Sequence, residues 1–301
     1  MNWRTSRSLG PVSDALTVAL AVIGVFVAWK SFYAGGAWSI VGWVFLFGLL
    51  LIVWGVFAEP RRLAARKYRI AIVPHPEAWV RIVFMSDMHA GGFRKRSWYR
   101  RVALEANSLG ADLVIWGGDM VAERAEPIED LKPLASVTAH LGRYFVLGNH
   151  DYLDDPALVR RTVAEWGITD LTNGSVALHK DGRAFELTVI DDCWHGRPIV
   201  PPFRSSKNVP HVTISHEPDA ALDLKEGDTD LLLSGHTHGG QIRLPFIGSI
   251  VKIPSILGRK ADEGKKVVNG VPVIVSEGVA ETDIRSRLFC PPEIMVVDVG
   301  I

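Results

Sequence analysis

Arg81-Ile82-Val83-Phe84-Met85-Ser86-Asp87-Met88-His89 is an apolar run that ends abruptly in a carboxylate and an imidazole two positions apart. The same event recurs along the chain. Asp112-Leu113-Val114-Ile115-Trp116-Gly117-Gly118 leads to Asp119, and Tyr144-Phe145-Val146-Leu147-Gly148 leads to Asn149, His150 and Asp151. His211-Val212-Thr213-Ile214-Ser215 leads to His216, and Leu231-Leu232-Leu233-Ser234-Gly235 leads to His236 and His238. Runs this short and this apolar read as strands buried on both faces. In open α/β sheets, ligands gather beyond the carboxyl ends of the strands, so these loops are expected to converge on one rim. Residues 98–109 and 155–166 have helical spacing, and 185–190, 271–275 and 294–299 read as further strands. Pro198, Pro201, Pro202 and Pro210 mark an irregular surface stretch rather than a boundary.

The residues at these strand ends define a chemistry. Asp87, His89, Asp119, Asn149, His216, His236 and His238 form a mixed carboxylate, amide and imidazole set of the size two adjacent divalent cations require. Such a pair sits about 3.5–4 Å apart and needs an anionic group between the ions to offset their repulsion. Imidazoles suit Mn, Fe or Zn, and the asparagine oxygen adds a neutral hard ligand. Glycines before Asp119, Asn149 and His236 allow tight turns and close backbone approach.

The ordered pattern DxH, GD, GNH followed by Asp, then H, then GHxH resembles the calcineurin-like metallophosphoesterase superfamily, over roughly residues 80–301. The resemblance implies a four-layer α/β/β/α sandwich and a dinuclear metal-dependent phosphoester hydrolase, acting as phosphodiesterase or phosphatase. It assigns Asp87, His89 and His238 to one ion, Asn149, His216 and His236 to the other, and Asp119 to the bridge. In that scheme a metal-bridging hydroxide attacks phosphorus in line. His150 is not a ligand; it faces the substrate, stabilising the transition state or protonating the leaving oxygen, and Asp151 orients its ring. The stretches 235–241 and 285–293 look like the bacterial YkuE/YaeI-type branch, whose members are commonly membrane-anchored. The chain is also similar, at the superfamily level, to the lipid A pathway hydrolases that cleave UDP-diacylglucosamine.

The N-terminus has a different texture. Residues 15–28 and 38–58 are apolar and uncharged, joined by Ala34-Gly35-Gly36-Ala37, and each approaches the roughly 20 residues a membrane-crossing helix needs. Trp29, Tyr33, Trp38 and Trp54 lie toward the run ends, where aromatic rings favour the headgroup level. Arg4 and Arg7 precede the first run; Arg61, Arg62, Arg66, Lys67 and Arg69 follow the second. The expected organisation is a transmembrane hairpin at 1–60, a basic juxtamembrane linker at 61–79, and the metallophosphoesterase domain at 80–301. The positive-inside rule puts both termini, and so the catalytic domain, on the cytoplasmic side of a bacterial-type inner membrane, as a multi-pass protein. The competing reading is a signal sequence cleaved near Ala37, in which case the second run still anchors the product.

At 301 residues, the chain holds one sizeable domain plus this appendage. Formal net charge is zero, so no global basic field argues for nucleic acid as a partner. Cys193 and Cys290 have no metal-knuckle spacing and read as ordinary thiols. His75, His140, His179, His195 and His211 match no motif and are read as structural or solvated; His195, beside Asp191 and Asp192, is the one with a case for touching substrate. The basic run 94–101 reads as a solvated helix start, a phosphate grip or, given the basic residues nearby, a contact with anionic headgroups. Gln241 and Arg243 border the pocket or pack within the loop.

The functional expectation is therefore a hydrolase at the membrane, with two divalent ions (Mn, Fe or Zn) and membrane lipids as partners. Its substrate would be a lipid or lipid-linked, UDP-diacylglucosamine-like phosphodiester or pyrophosphate, since an anchor raises the local concentration of membrane-borne substrates. The alternatives are hydrolysis of soluble nucleotides, a metal-dependent nuclease and a catalytically silent protein-binding scaffold.

Overall fold

The computed structural model describes residues 6–301, with side-chain surroundings from residue 14 onward; Arg4, and the side chain of Arg7, lie outside the described residues. Helix α1 (Ser6–Ala34) and helix α2 (Trp38–Val53) form an antiparallel hairpin around Gly35 and Gly36, both at positive φ. Phe32 packs edge-on against Trp43 with centroids 5.3 Å apart, and its ring leaves no room for a Cβ at Gly42. Small residues at such contacts let apolar helices approach closely. Leu16, Val22, Ile40 and Phe47 are exposed on the outer faces, so the hairpin is apolar all round. Asp14–Ala34 and Trp38–Arg61 are each long and apolar enough to cross a membrane. A π-helical turn, Trp54–Ala58, and a 3-10 turn, Glu59–Arg61, end the second span.

The chain then enters strand β1 (Ala64–Ala71), which pairs in parallel along its length with the last strand. This corrects the expected linker at 61–79, much of which belongs to the sheet. Its outer positions Lys67 and Arg69 are exposed, and Tyr68 and Ile70 pack against the core, so one face alternates as an edge strand does. The first sheet continues with β2 (Trp79–Met85), β3 (Leu113–Trp116), β4 (Arg143–Phe145) and β5 (Thr169–Asp170). The second sheet holds β6 (Ser175–Lys180), β7 (Arg183–Val189), β8 (His211–Ile214) and β9 (Leu231–Ser234). A small hairpin, β10 (Arg243–Leu244) and β11 (Gly248–Ser249), precedes β12 (Gly264–Val268), β13 (Val271–Val275) and β14 (Glu293–Gly300). The sheet orders are β1-β14-β2-β3-β4-β5 and β12-β13-β9-β8-β7-β6.

Alternation along the strands builds the layers. Ile82, Phe84, Leu113 and Ile115 point between the sheets, to Leu187, Val212, Ile214 and Leu231. Val83, Met85, Val114 and Trp116 point outward, against Val102 of helix α3 (Arg96–Ser108) and Val159 and Val163 of helix α4 (Pro156–Glu165). Burial on both faces explains the unbroken apolar runs. The fold is the expected four-layer α/β/β/α arrangement, but the cover on the second sheet is made of short 3-10 turns, Pro218–Leu222 and Gly258–Ala261, with irregular chain.

Polarity then decides where everything faces. Strands β2, β3 and β4 run parallel, as do β7, β8 and β9, and the residues beyond their ends, Asp87 with His238 and Asp119 with His216, meet at one rim. Strand β14 is antiparallel to β2 and β1 is parallel to β14, so β1 begins on that same rim. The apolar hairpin therefore joins the domain at the edge where the ligand loops meet.

Candidate metal centre

Three overlapping groups of side chains bring their donor atoms within 4.8 Å of one another: Asp87, His89 and His238; His89, Asp119 and His150; and Asp119, His216 and His236. Asn149 joins the last through its Oδ1, 2.9 Å from His236 Nδ1. Every side chain expected as a ligand from the sequence is thus brought to one buried cluster.

Backbone geometry does much of the aiming. Asp87, His89, Asp119, His236 and His238 all sit at positive φ, immediately beyond their strands. Left-handed backbone at non-glycine residues is uncommon and costs about 1–3 kcal/mol each, and it persists where surrounding structure over-determines it. Here the loop amides are tied across the rim: Asp87 N–H donates to Gly118 O and His89 N–H donates to Asp119 O, at 2.9 and 3.0 Å. A Cβ on Gly148 would lie 2.3 Å from Asp119 Oδ1 and 2.8 Å from His216 Nε2, so only glycine admits the two ligands there.

The hydrogen bonds of the rings identify what the cluster is built to hold. A carbonyl can only accept, so His216 Nδ1–H donates to Gly117 O, His238 Nδ1–H to Ala280 O and His236 Nε2–H to Pro254 O. The other nitrogen of each neutral ring is then a lone pair. His216 Nε2 faces Asp119 Oδ2 at 3.3 Å, His238 Nε2 faces Asp87 Oδ1 at 3.2 Å, and His236 Nδ1 faces the Asn149 amide oxygen. His89 Nε2 meets His238 Nε2 at 3.0 Å. Acceptors aimed at acceptors inside a buried cage repel unless a cation lies among them. Backbone carbonyls fixing the tautomer of each ring are the usual outer support of metal-binding histidines. The donor set therefore fits two divalent ions.

Charge preferences agree. Burial works to raise Asp87, but His238 and His216 together outweigh it and hold the carboxyl well below the ordinary carboxylate range. Asp119 is held low in the same way, against burial, by His216 and His150. Burial would lower His216, yet the charge of Asp119 pushes it well above the ordinary imidazole value, so cationic charge, a proton's or a metal ion's, is favoured at that ring. Burial, then His216, pushes His236 down to about 4, which keeps it a neutral ligand at physiological pH.

His150 lines the cleft, whereas Asp151 is placed differently from expectation. The ring of His150 stands edge-on to His89 at 4.7 Å and gives its Nδ1–H to Ala122 O, which leaves Nε2 for the cleft. Asp151 does not orient that ring. Its two oxygens accept from Val121 N–H and Gly148 N–H at 3.0 and 2.9 Å, so it braces two ligand loops instead.

The ring of Trp194 packs edge-on against His236 at 4.6 Å, a contact that sequence spacing gave no reason to expect. His195 follows it, with Nδ1 3.9 Å from Asp192 Oδ1. Gln241 and Arg243 pack within their loop, on Thr282 O and on Asp262 and Glu263. Arg94 lies over Trp98 and pairs with Glu281 at 2.5 Å, so the leading residue of the basic run is committed inside the protein. A cleft of about 280 Å³ opens beside the centre, lined by His89 and His150, Arg124 and Arg285, the acidic Glu123, Glu281 and Asp283, and Asp14 of the first apolar helix. Asp14 and Arg285 are 3.9 Å apart across it.

A buried cage of carboxylates, imidazoles and an amide suited to two divalent ions, with a histidine at its mouth, is the site of a metal-dependent hydrolase of phosphoester bonds. Residues 80–240 match the family model of the calcineurin-like phosphoesterases, and the chain belongs to that family. It is 30% identical over 249 residues to the metallophosphoesterase YkuE of Bacillus subtilis, covering 80% of this chain and 86% of that protein. It is 28% identical to the phosphodiesterase YaeI of Escherichia coli, over 80% and 90% of the two chains. A transmembrane protein with a metallophosphoesterase domain from Bos taurus is 27% identical over 97% of this chain and 65% of its own length. The cofactor of the chain is accordingly a pair of divalent metal ions.

Proposed function

We propose that the protein hydrolyses a phosphodiester, phosphomonoester or pyrophosphate carried by a membrane lipid or lipid-linked nucleotide, from the cytoplasmic face of a bacterial-type inner membrane. The observation that carries this reading is the shared rim: the apolar hairpin and the metal loops leave the sandwich at the same edge, and Asp14 of the hairpin lines the cleft with His89 and His150. A substrate confined to the bilayer surface approaches that edge directly. The transmembrane relative in Bos taurus supports a membrane-bound arrangement.

In the proposed site, Asp87, His89 and His238 would hold one ion and Asn149, His216 and His236 the other, with Asp119 as the carboxylate shared by the two groups. Two divalent ions supply Lewis acidity for the phosphoryl oxygens and activation of the attacking water. The chain does the rest. Gly117, Pro254 and Ala280 carbonyls fix the ring tautomers, so no reorganisation is needed when charge develops. His150, anchored through Nδ1 on Ala122 O, presents Nε2 to the leaving oxygen and protonates it as an imidazolium. Arg124 and Arg285 are the basic side chains of the cleft, which Asp14, Glu123, Glu281 and Asp283 also line.

The test compares an aryl phosphodiester, an aryl phosphomonoester and a lipid pyrophosphate, using Mn-loaded protein in nanodiscs. Asn149→Ala and His150→Ala serve as controls. The reading predicts preference for the lipid ester and its loss in both variants. No turnover of any lipid ester, with equal turnover of the soluble diester by protein with and without residues 1–60, rejects it.

A further inference from the structure

The segment after the last ligand loop carries a cluster of exposed apolar side chains outside the hairpin. Phe246, at the tip of the β10–β11 turn and at positive φ, is fully exposed, and Ile247, Ile250 and Ile256 are exposed beside it. Phe246 and Ile247 share a shallow groove with Phe289 and Arg259, and Ile250, Lys252 and Arg259 line the adjoining one. A phenylalanine at a tight hairpin tip gains nothing from the fold, and contiguous apolar patches of this kind mark interaction surfaces.

Two connections decide what the patch meets. Toward the hairpin, Arg287 N–H donates to Gly55 O at 2.9 Å, inside the π-helical turn that ends the second span. The next residue, Leu288, donates to Gln241 O and accepts from Arg243 N–H, both at 2.9 Å. One strand of chain therefore separates the membrane-proximal end of the hairpin from β10, and Phe289 continues from it. Toward the site, Pro254 O accepts from His236 Nε2–H, and Asp219 holds Ser255 Oγ and the amides of Ile256 and Leu257. The patch is thus bound at one side to the hairpin and at the other to the cage.

We propose that residues 245–257, together with Phe289, form a second membrane-docking surface that enters the headgroup layer of an anionic bilayer and holds the metal rim against it. The inference rests on the reading that the hairpin spans that same bilayer. The chemistry matches this occupant. Aromatic and branched aliphatic side chains partition into the interface. Lys252, Arg259 and Lys260 are exposed around them, and residues 245–261 contain no acidic side chain. Basic residues beside an apolar tip are attracted by anionic lipid headgroups.

The experiment places a nitroxide on the full chain in nanodiscs of phosphatidylcholine and phosphatidylglycerol, through Phe246→Cys, Ile256→Cys, Phe47→Cys and Asp181→Cys in turn. Residue 47 lies in the second span, and residue 181 in the exposed β6–β7 turn on the opposite rim. Unsubstituted protein gives the baseline for Cys193 and the buried Cys290. Relaxation by oxygen, relative to relaxation by a water-soluble nickel chelate, is expected to be several-fold higher at 246 and 256 than at 181, in the same direction as at 47. Values at 246 and 256 equal to those at 181, with 47 in hydrocarbon, overturn the docking surface and leave the hairpin standing. If 47 is also aqueous, the underlying membrane reading falls with it. Protection from both reagents at 246 and 256 points to a protein partner and likewise overturns the proposal.

Discussion

Asp119 stands between the two imidazole groups, and its carboxylate is addressed from both sides: His216 Nε2 at 3.3 Å and His89 Nε2 at 3.6 Å. Replacing it with asparagine removes the negative charge proposed to lie between the ions. Asp119→Asn is expected to lower bound metal from about two ions to below one by mass spectrometry, with phosphoesterase activity falling at least about 100-fold. His150→Ala separates the roles, since the ring is proposed to act on substrate and not on metal. Metal content should stay at that of the parent while kcat falls by about 10²–10⁴-fold, the usual contribution of a positioned acid. Equal metal loss in both variants would make His150 a ligand. Gly148→Ala tests the close packing without removing any polar group. Its Cβ would sit 2.5 Å from Asp119 N and 2.3 Å from Asp119 Oδ1. Metal affinity is expected to drop as steeply as in Asp119→Asn, read by the same metal analysis.

Strand β1 carries the most unusual electrostatics outside the cage. Arg66 reaches Glu277, Glu293 and Glu263 at 3.0, 3.1 and 3.2 Å, and the first two carboxylates are buried. One guanidinium cannot keep three clustered carboxylates ionised. Burial, then the hydrogen bond with Glu263 and the charge of Glu293, pushes Glu277 up to about 9, while Glu263 is held low. The proton is therefore carried on Glu277. A glutamate in the unfolded chain loses its proton near the ordinary value of 4.5, so between there and about pH 9 the folded state binds more protons. The stabilisation is complete below the lower value and disappears as pH rises through the upper one, at no more than about 1.4 kcal/mol per pH unit. Thermal melting of detergent-solubilised protein should show Tm falling from pH 5.5 to 8.5, with a shallower slope in Glu277→Gln. Identical slopes in the two proteins would mean that Glu277 is ionised in the fold. None of this is legible in the sequence, because Arg66-Lys67-Tyr68-Arg69 reads as part of a basic juxtamembrane linker and its partner strand lies at the other end of the chain. The cage, by contrast, is legible because each ligand follows its own short apolar strand and strand polarity alone brings the loops together. Asp151 and Trp194 fall between these cases. Their roles depend on which loop backbone or ring lies opposite, and no local periodicity encodes that.

At the scale of the whole molecule, one orientation satisfies several constraints together. The hairpin exits on the catalytic rim, Asp14 borders the cleft, and Gly55 is hydrogen-bonded to the segment that leads to Phe289. With the hairpin spanning a bilayer as proposed, a domain held so closely has little freedom to reach away from it, because only Arg62 and Leu63 separate the last helical turn at Arg61 from β1 at Ala64. Substrate in the same membrane is then presented at a high effective concentration, whereas substrate in another vesicle must meet a rim that faces the wrong surface. Protein reconstituted into one vesicle population should hydrolyse a lipid phosphoester in those vesicles about 10²–10⁴ times faster than the same lipid supplied in separate vesicles. A water-soluble aryl ester serves as the reference, and its rate should not depend on which vesicles are mixed. Release of inorganic phosphate, or of the water-soluble headgroup, measures both arms. Comparable rates in the same and in separate vesicles would mean that the rim is open to solution, and the hairpin would then be a tether without a part in presenting substrate.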